Sequence, residues 1–151
     1  MATGAIDNDI LKIMIHTDTH LGYLERDAHR FADSFATFEE ALHNAKENRC
    51  DMVIHAGDMF HENKPSRQAM HSAMKMFRQY CLGDDPVFFK VLNEESQSAE
   101  GEKVVADDVF KPNGGRANFQ SPHQSVSLPY FAIHGNHDDP SKEGTAGDAL
   151  S

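Results

Sequence analysis

The stretch Asp51-Met52-Val53-Ile54-His55-Ala56-Gly57-Asp58-Met59-Phe60-His61-Glu62 decides how this chain is read. Val53 and Ile54 give it the apolar, β-branched character of a strand in a sheet covered on both faces. Gly57 lets the backbone turn sharply or lie against a bound group. Asp58 is then delivered at the strand's carboxyl end, the edge where open α/β sheets bind ligands, which makes it a candidate metal ligand. A carboxylate in this position can equally cap a following helix.

With 151 residues, 39% of them apolar, the chain fits one soluble domain able to bury a core without staples. No apolar run reaches the length of a membrane span. Met1 to Ile10 lacks the basic start and apolar middle of a secretory signal, so an intracellular protein with no membrane contact is expected. Cys50 and Cys81 show neither CxxC nor Cys/His zinc spacing and read as reduced, packed thiols. The net charge of -10 argues against a wholly basic nucleic-acid-binding surface. Half of that charge lies between Asn93 and Asp108, where Glu94, Glu95, Glu100, Glu102, Asp107 and Asp108 face only Lys103. Bound divalent cations would reverse the local sign of a site.

Working outward, Ile10 to His16 reads as a first buried strand, broken only by Lys12, that feeds Thr17-Asp18-Thr19-His20-Leu21-Gly22. Ser34 reads as the N-cap of a helix whose buried stripe is Phe35, Phe38, Leu42 and Ala45, with Lys46 and Arg49 at its negative end. Beyond the central strand, His61 to Arg67 is a polar loop opening a second helix. Its expected buried face is Met70, Met74, Phe77 and Cys81, with Gly83 as C-cap. Val87 to Leu92 reads as a further strand. This βαβαβ order predicts a parallel sheet with right-handed crossovers. Residues 93–124, acidic and then rich in Asn, Gly, Pro and Ser, read as an insertion or long loop. Val126 to His134 reads as the next strand, regular after Pro129, and delivers Gly135-Asn136-His137-Asp138-Asp139-Pro140. Ser141 to Ser151 reads as the opening of a helix.

Three strands thus end in polar clusters: Asp18 with His20, Asp58 with His61, and Asn136 with His137. In a parallel sheet those ends share one rim. Carboxylate, imidazole and carboxamide donors without thiolates suit Mn²⁺, Mg²⁺ or Fe²⁺, and only a carboxylate such as Asp58 readily bridges two ions. A pair of ions so held points to phosphoester hydrolysis. A DxH pair alone is common in loops, and Asn136 with His137 could be turn formers. The ordered series DxH, GD, GNHD on successive parallel strands is far more specific.

That series resembles the calcineurin-like metallophosphoesterase superfamily. The words Gly57 to Arg67, Arg78-Gln79-Tyr80-Cys81 and Ile133 to Pro140 resemble its eukaryotic meiotic-recombination-eleven family of SbcD-type double-strand-break repair nucleases. The likeness covers nearly the whole chain and is weakest between Asn93 and Arg116. It implies a layered α/β fold with a partly parallel sheet and flanking helices. Residues 1-151 would be the N-terminal part of one nuclease domain, truncated at its C-terminal side, with 93–124 as an insertion loop. It further implies that Asp18 and His20 hold a first Mn²⁺, Asp58 bridges, and Asn136 holds a second. His137 would orient the phosphate or protonate the leaving oxygen, and His61 would support the transition state. The implied activity is Mn²⁺-dependent DNA endonuclease and 3′ to 5′ exonuclease cleavage in the nucleus. The implied partners are DNA, a second copy, an SbcC-type coiled-coil ABC ATPase and a nibrin-type subunit, the last at the insertion.

The family pattern continues with a lone histidine and a GHxH word that nothing after His137 supplies. The isolated chain is therefore expected to be a fragment and inactive. The rival reading is a non-catalytic scaffold that keeps partner-binding surfaces. A protein-phosphatase reading is disfavoured, because a GDxVDRG-type word is absent at Gly57 to His61. His16, His55 and His134, at strand ends beside the motifs, read as packed or supporting groups. Lys64 and Arg67 could touch DNA phosphate, although surface solvation explains them as well.

Overall fold

The computed structural model describes residues 10–89, 117, 119 and 125–138. Five elements follow in order: β1 (Ile13–His16), α1 (Asp33–Glu47), β2 (Met52–His55), α2 (Arg67–Tyr80) and β3 (Tyr130–Ala132). The strands form one sheet in the order β1-β2-β3, parallel throughout. Because the order runs without reversal, two right-handed crossovers place both helices on the same face. The expected βαβαβ unit is present, but its third strand is β3. Val87 to Phe89 form no strand, and the rest of the strand expected from Val87 to Leu92 lies outside the described residues.

Side chains alternate across the sheet as the pleat requires. Met14, Val53 and Tyr130 stand in register and face the helices. Phe38 and Leu42 of α1 and Ala69, Ala73 and Met76 of α2 close a core over them with Leu21, Met59 and Phe60 from the loops. Tyr130 joins both groups of core residues, and its ring meets Phe77 edge-on at 4.8 Å. The opposite face differs from expectation. Ile13 and Ile15 are exposed, at 40% and 67%, so β1 is covered on one side only among the described residues. Phe119 stands edge-on to Phe131 on β3, 6.0 Å away.

Several local expectations are corrected. Ser34 is not the N-cap of α1: the helix follows Ala32, which offers no side-chain acceptor, and Ser34 Oγ instead accepts from Gly22 N at 3.2 Å. The hydroxyl thereby ties the first loop to the helix. Of the expected buried face of α2 only Met74, 64% exposed, departs: Cys81 is buried and Met70 and Phe77 pack against the core, while Ala69, Ala73, Met76 and Tyr80 are the helix's buried residues. Gly83 is not the cap either. Cys81 ends α2, while Gly83 donates to Ser125 O at 3.1 Å and lies where a Cβ would meet Ser127 Oγ at 2.9 Å. As expected, Cys50 and Cys81 are free thiols; burial pushes the Cys81 thiol up to about 12. Most of the 93–124 insertion and all of Ser141 to Ser151 lie outside the described residues. Among the described residues no helix is long and apolar enough to cross a membrane.

Candidate metal centre

The strands stop at His16 and His55, but their pairing does not. Asp18 N donates to Gly57 O (3.0 Å), His20 N to Asp58 O (3.0 Å), Leu21 N to Met59 O (2.8 Å), and His61 N to Leu21 O (3.1 Å). These bonds hold Asp18, His20 and Asp58 at positive φ (54, 42 and 54°). That conformation costs a non-glycine residue roughly 1–2 kcal/mol. Three such residues on one rim show a backbone bent to aim side chains.

The third loop is locked to the second by two carboxylates. Asp58 Oδ1 accepts from His137 N at 2.7 Å, and Asp138 Oδ2 accepts from Met59 N at 2.8 Å. Asp138 also accepts from Gly135 N and is fully buried. Gly57, at φ +112°, lies so close to Gly135 that a Cβ on it would sit 3.2 Å from Gly135 N. A Cβ on Gly135 would in turn enter the Asp58 carboxylate. Asp58 therefore caps no helix. The helix downstream is capped by Ser66, whose Oγ accepts from Ala69 N at 3.0 Å.

Two donor groups result. Ligand atoms of Asp18, His20 and Asp58 lie within 4.8 Å of one another, and so do those of His20, His61 and His137. The imidazoles meet at centroid distances of 4.7 Å (His20 to His137), 5.2 Å (His61 to His137) and 5.5 Å (His20 to His61), with Tyr23 edge-on to His61 at 4.9 Å. His137 Nδ1 is 2.9 Å from His61 O. A carbonyl can only accept, so Nδ1 carries a hydrogen, and a neutral ring would keep its lone pair on Nε2. The Nδ1 atoms of His20 and His61 are buried and have no hydrogen-bond partner among the described residues. Buried orphan nitrogens beside carboxylates fit divalent cations. Asn136 sits on the exposed rim between Gly135 and His137.

Behind the rim, His55 Nδ1 accepts from Gly57 N at 3.2 Å. Its hydrogen is thus on Nε2 and points to Thr19 Oγ1 at 3.0 Å, which donates to Met59 O at 3.2 Å. Burial, and then the neighbouring His16, lower the His55 pKa to about 4, so the ring is neutral. Burial also lowers His16. The expected supporting place thus fits His16 and His55 but not His134, which is exposed. Lys64 and Arg67 are exposed on the loop and at the first residue of α2. Sequence reasoning overlooked Thr19 and Asp138. The only signal for Asp138 was its place in the GNHD word.

A parallel sheet with carboxylates and imidazoles on its carboxyl rim is the frame of a metal-dependent phosphoesterase. Residues 11–93 match the calcineurin-like phosphoesterase family, and the chain belongs to it. Within that class it is 44% identical to the double-strand break repair protein MRE11 of Mus musculus over 144 residues, 95% of this chain. It is 42% identical to that of Homo sapiens over 144 residues, also 95% of the chain, and 44% identical to that of Gallus gallus over 134, 89% of the chain. The chain spans 18% of the length of each.

Proposed function

We propose that this chain supplies the first three active-site loops of a nuclease that hydrolyses DNA phosphodiesters in double-strand-break repair. The observation that carries the reading is the meeting of Asp18, His20 and Asp58 with His61 and His137 on one rim. The relatives are double-strand break repair proteins, which supports the DNA substrate and nuclear action. In this reading residues 1–151 belong to one metallophosphoesterase domain.

Asp18 and His20 would hold one ion, Asp58 would bridge and Asn136 would hold a second, Mn²⁺ or Mg²⁺ by donor type. Such ions, when bound, activate water and neutralise phosphate charge. His137, with Nδ1 committed to the His61 carbonyl, presents Nε2, which once protonated orients the phosphate or hands its proton to the leaving oxygen. His61, beside it, stabilises negative charge developing on the phosphate. Endonucleolytic and 3′ to 5′ exonucleolytic cleavage are the proposed activities. A second copy, an SbcC-type ATPase and a nibrin-type subunit are the proposed partners.

The test is calorimetric Mn²⁺ titration of the chain, joined to a cleavage assay on labelled DNA with a protein that carries this sequence. Asp58→Asn is expected to weaken Mn²⁺ binding by about tenfold or more. His137→Gln is expected to keep binding but lose about 10²- to 10⁴-fold in cleavage. Retained partner capture without Mn²⁺ binding or cleavage would establish the scaffold instead.

A further inference from the structure

We propose that His20, His61 and His137 form a second, all-nitrogen site for a borderline divalent cation of the Zn²⁺ type, and that its occupation excludes Mn²⁺ from the carboxylate set. The exclusion rests on the metal-centre reading above, because His20 belongs to both groups of donors. The nitrogen site itself does not.

The three ring nitrogens lie within 4.8 Å of one another. Tetrahedral coordination at Zn–N distances of about 2.0–2.1 Å needs them about 3.4 Å apart, which small ring rotations supply. His137 already has the arrangement that such ligands adopt: Nδ1–H is anchored on the His61 carbonyl at 2.9 Å, which fixes the tautomer and leaves Nε2 free to ligate. His20 and His61 each carry a buried Nδ1 without a partner among the described residues, atoms whose desolvation nothing there offsets. Three imidazole nitrogens favour Zn²⁺ over Mn²⁺ by donor softness and by the general affinity order of the divalent metals. Asp18 and Asp58 suit the harder ions. A Zn²⁺ ion held here would use up the free nitrogens that cleavage requires of His61 and His137 and would draw His20 from Asp18, its neighbour at 3.8 Å. Zn²⁺ would thus act as an inhibitor even with Mn²⁺ in excess.

The experiment titrates the chain with Zn²⁺, and with Co²⁺ as a coloured surrogate, while bound Mn²⁺ is followed by electron paramagnetic resonance. The expected result is intense four-coordinate Co²⁺ absorption and release of Mn²⁺ on adding Zn²⁺. In the His61→Gln/His137→Gln variant, Zn²⁺ binding should weaken by about tenfold or more while Mn²⁺ affinity holds. His137→Gln alone should give an intermediate loss, and metal-free melting curves establish that each variant is folded. Unchanged Zn²⁺ affinity in the folded variants overturns the proposal. So does loss of Zn²⁺ binding in Asp58→Asn, which would place the ion among the carboxylates. Zn²⁺ binding that depends on the histidines in a chain that never binds Mn²⁺ would sink the two-ion reading and the exclusion, yet leave the nitrogen site standing.

Discussion

Asp58 and Asp138 each spend one oxygen on a backbone amide of the other's loop, and that exchange fixes where His137 stands. The close approach works only because Gly135 has no side chain, since a Cβ there would enter the Asp58 carboxylate. Gly135→Ala is therefore expected to destabilise the fold by about 1–3 kcal/mol, the usual cost of overpacking. It should also weaken Mn²⁺ binding by pushing Asp58 aside. Urea melts and calorimetry check both, and a variant with wild-type stability and Mn²⁺ affinity would show the loops free to part. At this scale the side chains that meet on the rim were legible in the sequence, since Asp18, His20, Asp58, His61 and His137 are groups whose chemistry is visible by type. The Asp138 role was not, because a carboxylate beside a loop reads as solvated until its burial against Met59 N is seen.

Among elements, α2 shows what periodicity captures and what it misses. Met70, Met74, Phe77 and Cys81 recur at helical spacing, and Cys81 is buried while Met70 and Phe77 pack against the core, yet the helix's buried residues are Ala69, Ala73, Met76 and Tyr80 and Met74 faces solvent. Small alanines seat the helix against its neighbours, and a reading weighted to large apolar residues passes over them and admits Met74. Capping was misread for a related reason. Ser34 and Ser66 are both serines at helix starts, but the first serves Gly22 N while the second caps Ala69 N and donates to Glu25 Oε2 at 2.7 Å. Sequence places a hydroxyl near a helix start without saying which amide it meets. Ser66→Ala should cost about 1 kcal/mol for the cap. Loss of the Glu25 bond should add to it, read as a lower urea midpoint at unchanged m-value. A cost no greater than that of Ser34→Ala would mean the cap contributes little.

For the whole molecule, the parallel pairing of the strands followed from the order of apolar runs, because right-handed crossovers leave few ways to place two helices, although Tyr130–Ala132 and not the run at Val87 stands beside β2. Strand burial did not, since Val- and Ile-rich runs look alike whether one face or both are covered, and Ile15 is 67% exposed. The rings of His16 and His55 lie at 4.8 Å between the sheet and the rim, and burial lowers the pKa of both. An unfolded chain binds a proton on His55 near the ordinary 6.5, whereas the folded chain does so only near 4. Between those values the unfolded state holds more protons, so stability is present above pH 6.5 and falls as pH drops toward 4. The gap between 6.5 and about 4 sets a ceiling of about 3 kcal/mol for His55, with His16 acting in the same direction. Urea melts at intervals from pH 7 to 4.5 in metal-free buffer should show this decline, and His55→Gln should flatten it even as it lowers stability at pH 7. The same slope in the variant would assign the acid sensitivity to the carboxylates that clasp the loops instead of to the imidazoles behind them.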